Sequence, residues 1–148
     1  MSGNISMALS KLRQQLQSID QEVNNLLAYV QKSPPGMLKT FDIAEAGLVS
    51  GKIRRAKDQL TDIEAEAATN SQEAKSRLVV VYNILNSCYV FISSEFGEYN
   101  REVWRFQQES IRNDIWQRYE ADVQRTHEKF MIVASGIVEI IRRIPVIL

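Results

Sequence analysis

Catalysis needs a nucleophile, a titratable base or a set of metal ligands, and this chain is poor in all three. Cys88 is its only cysteine and His127 its only histidine. They are the obvious nucleophile–base pair, yet no motif surrounds either, and an activated thiol needs cationic neighbours that Cys88 lacks in sequence. Cys88 sits in an apolar run, where a small buried thiol is the ordinary expectation. His127 reads as a surface or second-row helix residue. A di-iron bundle needs Glu-x-x-His pairs, and the residue three before His127 is Gln124. No cysteine cluster offers a zinc site. The serines and carboxylates are too many and too unpatterned for a dyad to stand out. The expectation is a non-catalytic protein with no cofactor, no metal and no small-molecule ligand.

Two charged groupings could bind phosphate. Lys52, Arg54, Arg55 and Lys57 form the densest basic cluster, but at 100° per residue they point around a helix instead of along one stripe. Asp58, Asp62 and Glu64 follow, so a solvated, internally paired surface is expected. Further on, arginines interleave with Trp104, Phe106, Trp116 and Tyr119, a pattern that could stack single-stranded bases. Between Glu98 and Glu128, however, seven acids face five arginines, the wrong balance for phosphate. These aromatics are read as core anchors. Over the whole chain 18 basic and 18 acidic residues cancel, so no nucleic-acid partner is expected and self-repulsion is weak.

The elements that would carry these residues are helical. Only three prolines and six glycines interrupt 148 residues, enough length for one domain with a real core. Ile5, Leu9, Leu12, Leu16, Ile19, Val23, Leu26 and Val30 alternate steps of four and three, a seam that must pack on another helix. A second seam runs through Ala46, Val49, Ile53, Ala56, Leu60, Ile63 and Ala67. A third runs through Trp116, Tyr119, Val123, Thr126, Phe130, Val133, Ile137, Ile140 and Ile144. Around the first seam, Ser6, Ala8, Arg13, Gln15, Asp20, Glu22, Leu27 and Tyr29 give poor charge pairing for a parallel dimer, which assigns that seam to packing within the chain.

Punctuation divides the chain into helices at about 4–32, 42–68, 71–93 and 98–143. Ser33-Pro34-Pro35-Gly36 ends the first helix. Asp42 with Glu45 has capping-box spacing, and Asn70 with Glu73 repeats it. Ser93-Ser94-Glu95-Phe96-Gly97 reads as a kink or short connection, and Pro145 as the final stop. Breaks near Ser110–Asp114 and at Gly136 are weaker options. Gly47 and Gly51, four apart, predict close approach of the first two helices; no strand precedes them, so they do not form a phosphate loop. The fold expected is an all-α antiparallel bundle of about four helices with heptad packing and a long C-terminal helix, one domain over 1–148.

Two apolar stretches remain. Leu78–Ile92 is read as a buried central helix, since its fifteen residues span only about 22 Å against a hydrocarbon core near 30 Å. From Phe130 to Leu148 the clearly polar residues are few. Phe130, Val133, Ile137, Ile140 and Ile144 lie on the seam, and Ile141, Val146, Ile147 and Leu148 add apolar surface beyond it. Three readings stand: a last helix in the monomer core, an oligomer or partner interface, or a membrane-surface segment with Arg142 and Arg143 at its edge. The function expected is helical assembly, by self-association or with a protein partner, through this end of the chain. No apolar leader precedes Lys11 and Arg13, and with a single cysteine a cytoplasmic setting is expected. Residues 1–19 are acid-free and amphipathic like a presequence, but their seam runs on to Val30.

Arg101-Glu102-Val103-Trp104-Arg105-Phe106, followed by Asp114 and aromatics, resembles the last BAR-domain helix of sorting nexins. Ile53-Arg54-Arg55-Ala56-Lys57-Asp58-Gln59-Leu60 is similar to an earlier helix of that family. The match is confined to these stretches of generic helical character. The chain is short for such a domain, and its apolar third helix departs from the pattern, so membership is not claimed. The resemblance implies the alternative function, a dimeric helical module that contacts curved membrane through Lys52, Arg54 and Arg55.

Overall fold

The computed structural model describes residues 2–30, 32, 43–110 and 115–148. Four helices account for nearly all of them: α1 (Ser2–Val30), α2 (Ile43–Ala67), α3 (Ser71–Ser110) and α4 (Ile115–Ile147). Each packs chiefly on two neighbours, α1 on α2 and α4, and α3 on α2 and α4. The result is an antiparallel four-helix ring with α1 diagonal to α3 and α2 diagonal to α4.

The seams read from the sequence form its core. Leu9 through Val30 on α1, Val49 through Ala67 on α2 and Val123 through Ile144 on α4 are buried at those heptad positions. A fourth seam supplies the remaining side: Ala74, Leu78, Val81, Leu85, Cys88, Ile92, Glu95 and Tyr99, again at steps of four and three. It escapes a reading of the sequence because the stretch around it is apolar on every side, which masks the period. At 0% exposure Tyr99 and Phe130 are the bulkiest buried side chains, and truncating a residue of that size costs about 3–5 kcal/mol. Asn70 caps α3, its Oδ1 accepting from the Glu73 backbone N–H at 3.1 Å, as the spacing predicts. Asp42, the expected cap of α2, and the connection from Ser33 to Phe41 lie outside the described residues.

Several boundaries differ from expectation. The third helix does not end near residue 93 with a fourth beginning at 98; α3 is one continuous helix of 40 residues and the longest of the four. Ser93, Ser94 and Gly97 point to solvent while Ile92, Glu95 and Tyr99 stay on the seam. Burial of one face therefore overrides the weak local propensity of the other. α3 ends at Ser110 and α4 begins at Ile115, at one of the two weaker breaks considered, and α4 runs unbroken through the other, Gly136. Pro145 does not stop α4, which runs to Ile147. At the last turn a proline forfeits few hydrogen bonds, and Ile144 and Ile147 hold the turn against the core.

The glycines also change roles. A Cβ on Gly51 would meet nothing within 4 Å, whereas one on Gly136 would lie 3.0 Å from Ile19 Cγ1. Gly136 thus admits a close approach of α1 to α4, while Gly51 faces solvent and takes no part in the packing of α1 on α2; the surroundings of Gly47 lie outside the described residues. Finally, the apolar run on α3 is not a central helix. Val79, Val80 and Val90 are exposed, with Asn83, Asn86 and Ser87 beside them.

Candidate functional site

The four grooves between neighbouring helices are closed by two kinds of chemistry. Across α1–α2, Arg13 pairs with Glu64 at 3.5 Å. Asp20 accepts from Ser50 at 2.9 Å and from Arg54 at 3.3 Å. Across α2–α3, Arg77 lies 4.0 Å from Asp62 and Lys52 donates to Ser87 Oγ at 3.1 Å. Across α1–α4, Lys129 pairs with Glu22 at 3.5 Å and sits over the Tyr29 ring. The flanking charges on α1 that suit a parallel dimer so poorly find their partners within the chain.

The α3–α4 groove is aromatic. Phe96 and Tyr99 each meet the His127 ring edge-on at 5.4 Å and tilt against Phe130. Lower down, Phe106 contacts Trp116 and Tyr119. Such ring pairs add about 0.5–1.5 kcal/mol each beyond area burial. Outside this seam no charged residue occurs from Leu78 to Ser94 on α3, or from Phe130 to Val138 on α4.

Exposed apolar side chains gather on the same two helices. Among the described residues, Met7 on α1 is the one large exposed hydrophobic outside them. Val79, Val80, Val90 and Trp104 are on α3, and Ile115, Met131, Ile132 and Val146 on α4, with Leu148 just past its end. Val90 is 60% exposed, Met131 59% and Val146 86%, so these are open surface, not core margin. Between them lies a shallow groove of about 590 Å³ bordered by Tyr89, Ala134, Val138, Glu139 and Arg142. Arg143 pairs with Glu139 at 2.6 Å, while Arg142 makes no ion pair among the described residues.

The residues expected at a C-terminal interface divide accordingly. Phe130, Val133, Ile137, Ile140 and Ile144 are buried within the single chain, so an interface cannot use them. Their heptad spacing was the signal of core. Ile141 and Ile147 are half-buried against the core, and Val146 and Leu148 are exposed. The sequence reading missed Val79, Val80, Val90 and Met131. Their signal was apolar residues placed off any seam, which appears only once the α3 seam is known.

The basic candidates do not assemble. Lys52 leans to α3 and Arg54 to α1, while Arg142 and Arg143 stand on the diagonal helix. Nor does Trp104 anchor the core. It lies in the outermost row of α3 with Asn83, Val90 and Gly97, and is 64% exposed.

Cys88 and His127 stay apart. Tyr99 marks the level of His127 on α3, and Cys88 lies eleven residues before it, about 16 Å along the helix. Burial pushes the Cys88 thiol up to about 11, with Lys52 opposing only slightly, the opposite of activation. Burial holds His127 below its ordinary value, and its Nε2 is buried without a hydrogen-bond partner. The described residues hold no cluster of metal-ligating side chains.

α3 is also long and apolar enough, by length and composition, to cross a membrane. The expectation that its apolar run is too short rested on an end at Ile92. Only 33% of that stretch is buried inside the bundle.

Compared with known proteins, the chain matches no family model, no curated protein and no solved structure.

Proposed function

We propose that this protein is a non-catalytic helical assembly module that associates through the outer face of α3 and α4. One observation carries the reading. Three grooves are closed by cross-helix charges, while the fourth is flanked by charge-free stretches, with the exposed Val79, Val90, Met131 and Val146 beside it. Contiguous exposed apolar surface of this kind marks association sites, and depletion of charge is what distinguishes interface cores from ordinary surface.

Photo-cross-linking from single positions in cells tests it. A photoreactive residue at Val90 or Met131 is expected to give discrete adducts, and one at the exposed Asp58 on α2 none. Equal labelling at all three, or none at Val90 and Met131, sinks the reading.

A second reading is favoured by the apolar stretch of α3, most of which is not buried in the bundle. On it the same face lies against lipid, with Arg142 and Arg143 at the headgroup level. Flotation with anionic vesicles decides: binding abolished by Ile141→Asp with Arg142→Glu and Arg143→Glu supports lipid contact, and no flotation excludes it.

A further inference from the structure

We infer that the occupant of the α3–α4 face is a second copy of this chain, packed antiparallel about a two-fold axis near Asn86. This rests on the association reading above and names its partner. Three features of the face converge on that arrangement.

The first is register. The charge-free stretch of α3 runs from Leu78 to Ser94, and Asn86 is its midpoint. Phe96 lies against Phe130, so ten positions along each helix Asn86 is level with Ile140. A two-fold axis at Asn86 lays the uncharged stretch over its own copy and brings no formal charge of α3 into the centre. On α4 the same axis falls between Glu139 and Arg142. Arg142, exposed and without an ion pair among the described residues, then stands opposite Glu139 of the second copy. Symmetry makes two such pairs at the rim. Any axis displaced by a turn along the helices loses both coincidences together.

The second is chemistry at the axis. Asn86 is exposed and shares a helix face with Val79 and Val90. A primary amide carries both donors and an acceptor, so two related by a two-fold satisfy each other. An asparagine pair inside an otherwise apolar helical interface fixes register and copy number. A lipid surface offers this amide no such reciprocal partner.

The third is size. Seventeen charge-free residues make α3 uncharged for about 25 Å, and α4 beside it, charged at those levels at Glu139, Arg142 and Arg143, brings the face to about 20 Å wide. Each copy brings about 500 Å² and the pair about 1,000 Å², the lower bound for a specific interface and the size of a weak dimer. The zero formal net charge opposes none of this.

Sedimentation equilibrium of the full chain is the test, with circular dichroism on each variant to confirm that it is folded. The expected mass is twice 17.0 kDa. Asn86→Asp sets two carboxylates at the axis and raises the dissociation constant at least about tenfold. Arg142→Glu and Glu139→Arg each raise it about fivefold, and the double swap E139R/R142E returns it to within about twofold of the original. A dimer indifferent to Asn86→Asp, or a double swap weaker than either single change, overturns the inference. So does a monomer at every concentration. In that last case, adducts from Val90 and Met131 to other proteins, or flotation with vesicles, leave the association face standing with a different occupant. Their absence removes the face as well.

Discussion

The α1–α2 half and the α3–α4 half of this bundle bury their seams equally well and differ only on the outside. On α1 and α2 the residues beside the seam are charged and pair across the groove, Arg13 with Glu64 and Arg54 with Asp20. In the α3–α4 groove the corresponding places hold Tyr82, Tyr89, Phe96, Ala134 and Ile141, and the groove is closed by rings. Burial of the seam is what folds a helix. The polarity of the flanks decides whether the helix is finished by water or by something else. A helix finished by charge has no further surface to cover, and the α3–α4 half does.

The largest effect expected separates core from face. Leu16→Ala and Phe130→Ala each remove a fully buried side chain and should lower unfolding stability in urea by about 3–5 kcal/mol. Val90→Glu and Met131→Glu should change the stability of the isolated chain by less than about 0.5 kcal/mol. A loss at Val90 as large as at Leu16 would make α3 a buried helix after all and dissolve the contrast.

Two glycines provide the next test. Gly136→Ala drives a methyl to 3.0 Å from Ile19 and should cost about 1–2 kcal/mol after the gain in helix propensity. Gly51→Ala meets open space and should stabilise by about 0.5–1 kcal/mol. Opposite signs in thermal melts support a tight α1–α4 approach at Gly136 beside an open site at Gly51, and matching signs refute it. Asn70→Ala, which removes the α3 cap, should cost about 1 kcal/mol by the same measurement.

The smallest effect sharpens the aromatic side of the comparison. His127 is held below its ordinary value by burial, so the unfolded chain takes up a proton before the folded one does. Its contribution is complete above the unfolded value near 6.5. It is lost as pH falls through the depressed folded value. The melting temperature should therefore drop between pH 7 and pH 5, and His127→Phe, which keeps the ring contacts with Phe96 and Tyr99, should flatten that drop. An unchanged pH profile in the variant would remove His127 as the group responsible.

Most of the fold was legible because burial imposes a period. Wherever polar residues flanked a seam, as around Leu12 or Ile63, the alternation of fours and threes stood out. Where both flanks were apolar, as around Leu85 and Cys88, the same alternation was invisible, and α3 was cut short at two serines that only face water. Little of the candidate site was legible, because it consists of residues defined by what does not cover them. Val133 and Val90 are equally apolar in the sequence, and only the packing of four helices made one core and the other surface.

The sequence alone determined that the chain is helical and that its helices pack by heptads. These follow from residue type and spacing, which act locally. Tertiary structure decided that the aromatic groove joins α3 to α4, that Gly136 and not Gly51 admits a close neighbour, and that the seam from Phe130 to Ile144 is used up in the core while Val79, Val90 and Met131 stay outside. Exposure is a property of the whole assembly of helices, and no single helix contains it.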